Sequence, residues 1–205
     1  MFTGIVQGRG TILAAEDHAG GRRLQLELPT DARGSIEIGA SIAVAGVCLT
    51  VVAAENHRVD FDVIAESLRL TTLGSLRAGD SVNIERAARF GAEIGGHLLS
   101  GHVSGVATLV DRHHSAEEVM LRLRLPGPLA PYVFPKGFIA IDGVSLTIGR
   151  VESGEFTVHL IPETLRRTTL DSVKVGALLN IELDAMTQAV VDTVTRVLEQ
   201  RSSSE

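Results

Sequence analysis

The chain has 205 residues, 44% of them hydrophobic and 21% charged, with a formal net charge of -6. That mixture suits a globular protein with a sizeable core and argues against a disordered one, and the negative balance argues against a phosphate backbone as partner. Only 3% of residues are aromatic and tryptophan is absent, so a base-stacking nucleic-acid surface has little to be built from.

The N-terminus, MFTGIVQGRG, has neither the basic start nor the apolar run of a secretory leader. No segment approaches eighteen consecutive apolar residues, so no membrane span is expected and the protein is read as cytoplasmic. Cys48 is the sole cysteine, which excludes an internal disulfide, and no spacing of a CxxC or paired-histidine kind points to a metal. His113 and His114, adjacent in a polar stretch, read as a solvated loop.

Along the chain, LQLELP, SIAVAG, LTVV, RVDFDV and SVNIE are short β-rich runs divided by Gly, Asp and Asn. ESLRLTTLGSL, which follows RVDFDV, can hold a helical turn. The glycine-rich stretch GGHLLSGHVSG from Gly95 then carries His97 and His102, and its composition favours a turn running into a strand over a helix.

After that stretch the sequence repeats itself. GVCLTV at Gly46 returns as GVSLTI at Gly143, a shift of 97 positions. The same shift carries ESLRLTTL onto ETLRRTTL, NIE at Asn83 onto NIE at Asn180, and Gly4, Val6, Gly8 and Thr11 onto Gly101, Val103, Gly105 and Thr108. No gap is needed, so the protein is two copies of one fold, and six or so strands in under 100 residues suggest a small closed barrel for each. The expected organisation is a first barrel over residues 1–97, a second over 98–186, and a tail over 187–205. In the tail Val190, Val191, Val194, Val197 and Leu198 form one apolar stripe of an amphipathic helix, suited to self-association. The fold class is therefore all-β, two tandem six-stranded closed barrels plus a C-terminal helix.

The copies are informative where they differ. Ile5 becomes His102, Cys48 becomes Ser145, Ala45 becomes Asp142, Ser41 becomes Phe138, Gly39 becomes Lys136 and Asp62 becomes His159. Small hydrogen-bonding residues beside glycines suit a flat heteroaromatic ligand lying close to backbone groups. No GxGxxG or P-loop spacing supports a nucleotide cofactor.

MFTGIV, GVCLTV, IGGHLLSGHV, KGFIAIDGVSLT and HLIPETLRRTTL together resemble riboflavin synthases of the alpha-chain type, built from two lumazine-binding repeats, over essentially the whole chain. The resemblance implies a homotrimer joined in part by its C-terminal helices, with each active site between the first barrel of one subunit and the second barrel of another. It implies dismutation of two molecules of 6,7-dimethyl-8-ribityllumazine to riboflavin and 5-amino-6-ribitylamino-uracil, without cofactor or metal. An enclosing lumazine synthase shell is left open as a further partner.

Carried over position by position, the resemblance places Gly4, Ile5 and Val6, then Cys48, Leu49 and Thr50, then Asp62, Val63, Ile64, Ala65, Glu66 and Ser67 at the first barrel's pocket. Gly101, His102 and Val103, Lys136, Ser145, Leu146 and Thr147, and His159, Leu160, Ile161, Pro162, Glu163 and Thr164 go to the second. His102 is the expected general acid or base. Phe2 is expected to cover the stacked rings, and Ser41, Cys48 and Asp184 to activate the donor molecule. Ala45 departs from the Asn expected there in relatives. A non-catalytic lumazine- or flavin-binding relative would share the fold but lose features of the second pocket, whereas here GVSLT, Lys136, His102 and the tail helix are all intact.

Overall fold

The computed structural model describes residues 1–115 and 118–202. The first repeat supplies β1 (Gly8–His18), β2 (Gly21–Glu27), β3 (Ser41–Val44), β4 (Val47–Glu55), β5 (Arg58–Ile64), the short helix α1 (Ala65–Leu70) and β6 (Ser81–Arg86). The second supplies β7 (Gly105–His114), β8 (Val119–Arg124), β9 (Phe138–Ile141), β10 (Val144–Glu152), β11 (Glu155–Leu160), α2 (Pro162–Arg167) and β12 (Leu178–Leu183), and the chain continues into α3 (Ala185–Ser202). Each set of six strands closes on itself, in the orders β1-β2-β5-β4-β3-β6 and β10-β11-β8-β7-β12-β9, with every neighbouring pair antiparallel. Closure gives every strand a partner on both sides, which is how barrels this small avoid edge-to-edge association.

Alternation along the strands fills each interior. In β2, Leu24 and Leu26 point inward and are fully buried while Arg23 faces out, and in β5 Val59, Phe61 and Val63 are buried between exposed or half-buried neighbours. One core gathers around Phe61 and the other around Phe156.

The barrels meet back to back through two equivalent hairpin turns. Ala45-Gly46 joins β3 to β4 and Asp142-Gly143 joins β9 to β10, and all four residues have positive φ, between 46° and 80°. Two-residue loops of this kind are the type I′ turns that match strand twist, with Gly favoured at the second position. Gly is needed there for contact as well: a Cβ on Gly46 would lie 2.6 Å from the Gly143 nitrogen.

Two buried asparagines complete the junction. Asn83 Nδ2 donates to the Asp142 carbonyl at 3.0 Å and Asn180 Nδ2 to that of Ala45 at 2.8 Å. Their Oδ1 atoms accept from the N–H groups of Thr169 and Thr72, both at 2.8 Å. Each asparagine thus ties its own strand to the opposite barrel's hairpin and to a turn of that barrel's helical segment.

Two lead segments are exchanged between the barrels. Val6 packs in the second core, and Val103 against the first. The segments pair with each other at Phe2 and Leu99, and each is pinned by a buried carboxylate: Glu85 accepts from Thr3 N, Thr3 Oγ1 and Gly4 N, and Glu182 from Ser100 N, Ser100 Oγ and Gly101 N. A cut after residue 97 would therefore part each barrel from the segment that packs on it.

The tail helix α3 starts at Ala185 and is held to its own barrel by Tyr132 Oη, which donates to Asp192 Oδ1 at 2.5 Å. Val190, Val194, Val197 and Leu198 remain between 42% and 60% exposed, so most of the apolar stripe is unpartnered within one chain. Residues 203–205 of the expected tail lie outside the described residues. No helix among the described residues is long and apolar enough to cross a membrane.

Candidate active site

The barrels are closed, but one ladder in each is incomplete. β4 and β5 pair from Val51–Phe61 outward to Glu55–Arg58, and the pairing stops before Thr50 and Asp62. β10 and β11 likewise stop at Ile148–Val158, before Thr147 and His159. A narrow slot opens in the outer wall at each of these places.

Strand alternation fixes what the slots present. Val51 N–H donates to Ala40 O, on the β3 side, so the N–H and C=O of Thr50 turn the other way, toward β5. The Val63 carbonyl lies against Gly21 of β2, close enough that a Cβ there would be 2.0 Å from it, so Asp62 and Ile64 turn their backbone groups toward the slot. The free edge of β5 reads N–H, C=O, N–H along Asp62 and Ile64. The repeat gives the same order along His159 and Ile161, facing Thr147.

The exchanged lead segments form the far wall. Cys48 N–H donates to Gly101 O at 2.9 Å, and Ser145 N–H to Gly4 O at 2.9 Å. Gly101 and Gly4 have φ near +80° and +75°, and a Cβ on either would sit 2.5 Å from the Cβ of Cys48 or Ser145. Glycine is required here for both reasons.

This crosses the sequence-based grouping. Gly101, His102 and Val103 stand with Cys48, Thr50, Asp62 and Ile64 at the first barrel, and Gly4, Ile5 and Val6 stand with Ser145, Thr147, His159 and Ile161 at the second. Leu49, Val63, Leu146 and Leu160 are core side chains that reach the slots through their backbones alone. Ala65, Glu66 and Ser67, and Pro162, Glu163 and Thr164, form the first turns of α1 and α2 just beyond the slot strands.

Charged groups around the two slots differ. Asp62 is held by Arg23 through two contacts of 2.9 Å, whereas His159 Nδ1 lies 3.0 Å from Glu118. Glu66 is engaged by Arg69, and Glu163 by Arg166 and Arg167, whose guanidinium groups hold its carboxyl down at about 2. Lys136 adopts φ +70°, where its twin Gly39 has +90°. A lysine in a glycine conformation is strained, and strain of this kind concentrates at functional positions.

His102 is exposed beside the first slot, with its backbone N–H on Ser100 Oγ at 3.1 Å. Ser41, half-buried, lies across the ladder from Thr50. Phe2 is placed differently from expectation: it is 1% exposed and packs with Ala43, Leu99 and Ala140, with Cys48 at the edge of the cluster. It is a core side chain between the lead segments rather than a cover over an open slot. Asp184 follows β12 of the second barrel, whereas Ser41 and Cys48 lie on β3 and β4 of the first; it caps α3, accepting from Thr187 N–H at 2.8 Å, and its charge acts on His97.

His97 is the residue that sequence reasoning passed over. Its Nδ1 lies 2.7 Å from Ser145 Oγ, and its ring stacks on Phe138 at 5.1 Å. Its Nε2 is buried without a partner among the described residues. Burial pushes its pKa down, with Asp184 opposing, so the ring is neutral at neutral pH and can accept the Ser145 proton. His97 has no twin within the repeat, so the comparison of copies could not single it out. Its place in GGHLLSGH was the available signal.

A concavity of about 930 Å³ is distinct from the slots; it runs along Thr3, Ile5, Ser41, Glu85 and Arg86. Among the described residues no three His, Cys, Asp or Glu side chains gather as a metal site.

Comparison with known proteins recovers the two repeats. The family model for the lumazine binding domain matches residues 3–87 and 100–184. The chain is 48% identical to the riboflavin synthase of Escherichia coli K12 over 205 residues, covering all of this chain and 96% of that one. It is 45% identical to the riboflavin synthase of Chlamydia pneumoniae, covering 97% of each. Among solved structures it resembles LumP complexed with riboflavin, with a TM-score of 0.84 and 29% identity over 90% of this chain and all of that one. LumP complexed with 6,7-dimethyl-8-(1'-D-ribityl) lumazine gives a TM-score of 0.82 and 28% identity, over 90% and 99%. With both lumazine-binding domains present and full-length relatives of that name, the chain belongs to the riboflavin synthase family.

Proposed function

We propose that each slot holds one 6,7-dimethyl-8-ribityllumazine and that the protein transfers a four-carbon unit from one molecule to the other, giving riboflavin and 5-amino-6-ribitylamino-uracil. The observation that carries this reading is the strand edge presented twice. N–H, C=O, N–H along Asp62 and Ile64 is the complement of the C=O, N–H, C=O order on the imide edge of a pyrimidinedione, and His159 with Ile161 repeats it. Two equivalent cradles suit a reaction between two copies of one substrate.

Deprotonating the 7-methyl group spreads charge into the fused ring, so the substrate serves as its own electron sink. The protein's part is to orient two rings and move protons, and orientation alone is worth several kcal/mol. At the first slot His102 is the exposed acid or base, with Cys48 and Ser41 as polar contacts. At the second, neutral His97 accepts from Ser145, whose oxygen is then directed at the ring, and the Lys136 ammonium, without an ion-pair partner among the described residues, supplies positive charge.

The unpartnered stripe on α3 and the open slots support a homotrimer in which a first-barrel slot of one subunit faces a second-barrel slot of another. The cytoplasmic setting expected from sequence is part of the same proposal.

The test is Ile64→Pro, which removes one slot donor at a residue whose φ of -71° already suits proline. Loss of one hydrogen bond weakens lumazine binding at that slot by roughly 3- to 10-fold. A fluorescence titration with 6,7-dimethyl-8-ribityllumazine showing two undiminished sites per chain would refute the edge-recognition reading.

A further inference from the structure

A hollow of about 640 Å³ lies between the two barrels, away from both slots. The pseudo-two-fold axis that relates the repeats passes through it, because its walls come in twin pairs: Thr72 with Thr169, Ser75 with Ser172, Val82 with Leu179. Two pairs break the symmetry in chemistry: Ser81 is matched by Leu178, and the hairpin turns differ. On one side the hairpin turn contributes the Ala45 methyl, and on the other the Asp142 carboxylate.

Asp142 is 8% exposed, and its Oδ1 accepts from Asn180 N–H at 2.7 Å. Among the described residues only this oxygen is hydrogen-bonded; the second oxygen is not sealed in, and the residue lines the hollow. The other charged residue in the lining is Arg69, whose guanidinium is already engaged by both oxygens of Glu66 at 2.6 and 3.0 Å. An ionised Asp142 therefore leaves the hollow with one uncompensated negative charge. Around it stand the hydroxyls of Thr71, Thr72, Ser75, Ser81, Thr169 and Ser172, over an aliphatic surface that includes Val106 and Leu179.

We propose that this hollow is a second binding site, distinct from the lumazine slots, for a compact organic cation bearing N–H donors, an amidinium or a primary ammonium, seated on Asp142. The volume falls in the range of small-molecule sites. A buried carboxylate with one vacant acceptor favours a charge-assisted donor over water, and hydroxyls can accept the ligand's remaining N–H groups. Burial pushes the Asp142 carboxyl up to about 7, so the unliganded site is poised between protonation states and a bound cation draws it toward the charged form. The site also touches the lumazine machinery indirectly. Its walls include Thr72 and Thr169, held by Asn180 and Asn83, and its hairpin turns lead directly into β4 and β10.

The experiment uses methylguanidinium as probe and tetramethylammonium, which has the charge but no N–H, as control. At pH 8 the full-length protein should show a saturable rise in melting temperature with methylguanidinium and none with tetramethylammonium. Carbon-13 NMR of the Asp142 carboxyl should show its titration midpoint falling by about one unit or more at saturation. Asp142→Asn should weaken the response roughly tenfold or more, the effect of a lost charge-assisted hydrogen bond. Ala45→Asn, which adds an amide to the facing wall and suits the turn, should do the same without removing the carboxylate. Equal responses to the two cations, an unchanged response in both variants, or crystals soaked in methylguanidinium that show only water at Asp142 would each overturn the proposal.

Discussion

Replacing Asn180 by alanine tests whether the two barrels are locked by the buried amides. Asn180 is 1% exposed, donates to the Ala45 carbonyl at 2.8 Å and accepts from Thr72 N–H at 2.8 Å. The variant leaves one buried acceptor and one buried donor unmade, each costing about 1–3 kcal/mol. Both residues border the inter-barrel hollow, where water can reach them in part, so the total should lie toward the lower end, about 2–4 kcal/mol. Urea unfolding should show a lower midpoint with an unchanged slope. Asn83→Ala, which orphans the Asp142 carbonyl and Thr169 N–H, should cost a similar amount. Losses below about 1 kcal/mol for both variants would refute the argument, because two buried orphans cannot be that cheap.

Lys136→Gly should stabilise the fold by up to about 1 kcal/mol by relieving a positive φ, yet lower turnover, as unfolding midpoints and riboflavin formation measured on one preparation would show. His102→Gln should reduce kcat by roughly 100-fold, the usual scale for a positioned acid or base, with a smaller change in KM; unchanged turnover would remove His102 from the chemistry. Asp142 gives stability a pH dependence of defined sign. The unfolded chain releases this proton near 3.8 while the folded one holds it to about 7, so the folded state binds more protons in that window and stability falls as pH rises through it. Unfolding midpoints at pH 5 and 8 should converge in Asp142→Asn.

The duplication was legible because a gapless shift of 97 aligns glycines, asparagines and the GVxLT strand, and closed barrels follow from six short alternating strands in each copy. The exchange of lead segments was not. A repeat says which residues are equivalent, but not which barrel each one completes; the carry-over from the resemblance sets Gly4 with Cys48, where the structure has Gly101. Comparing twins found His102, Lys136 and Asp142 because each replaces a smaller or apolar residue. It could not find His97, which lies between the repeats, and although it sets Asp184 against Ala87 it does not show that Asp184 caps α3. The slots themselves arise where a ladder stops pairing, a property of register that Thr50 and Asp62 do not betray by type. The covering role expected of Phe2 came from the resemblance, and its burial among Ala43, Leu99 and Ala140 depends on contacts from both barrels.

The most direct measurement of the central claim is product stoichiometry. The pure protein, stripped of metals and given no cofactor, is incubated with 6,7-dimethyl-8-ribityllumazine while riboflavin and remaining lumazine are quantified. Two paired cradles for one substrate predict one riboflavin for every two lumazines consumed, with one 5-amino-6-ribitylamino-uracil. Tight binding without turnover would contradict the account, leaving a lumazine-binding protein whose His102, His97 and Ser145 have no catalytic part.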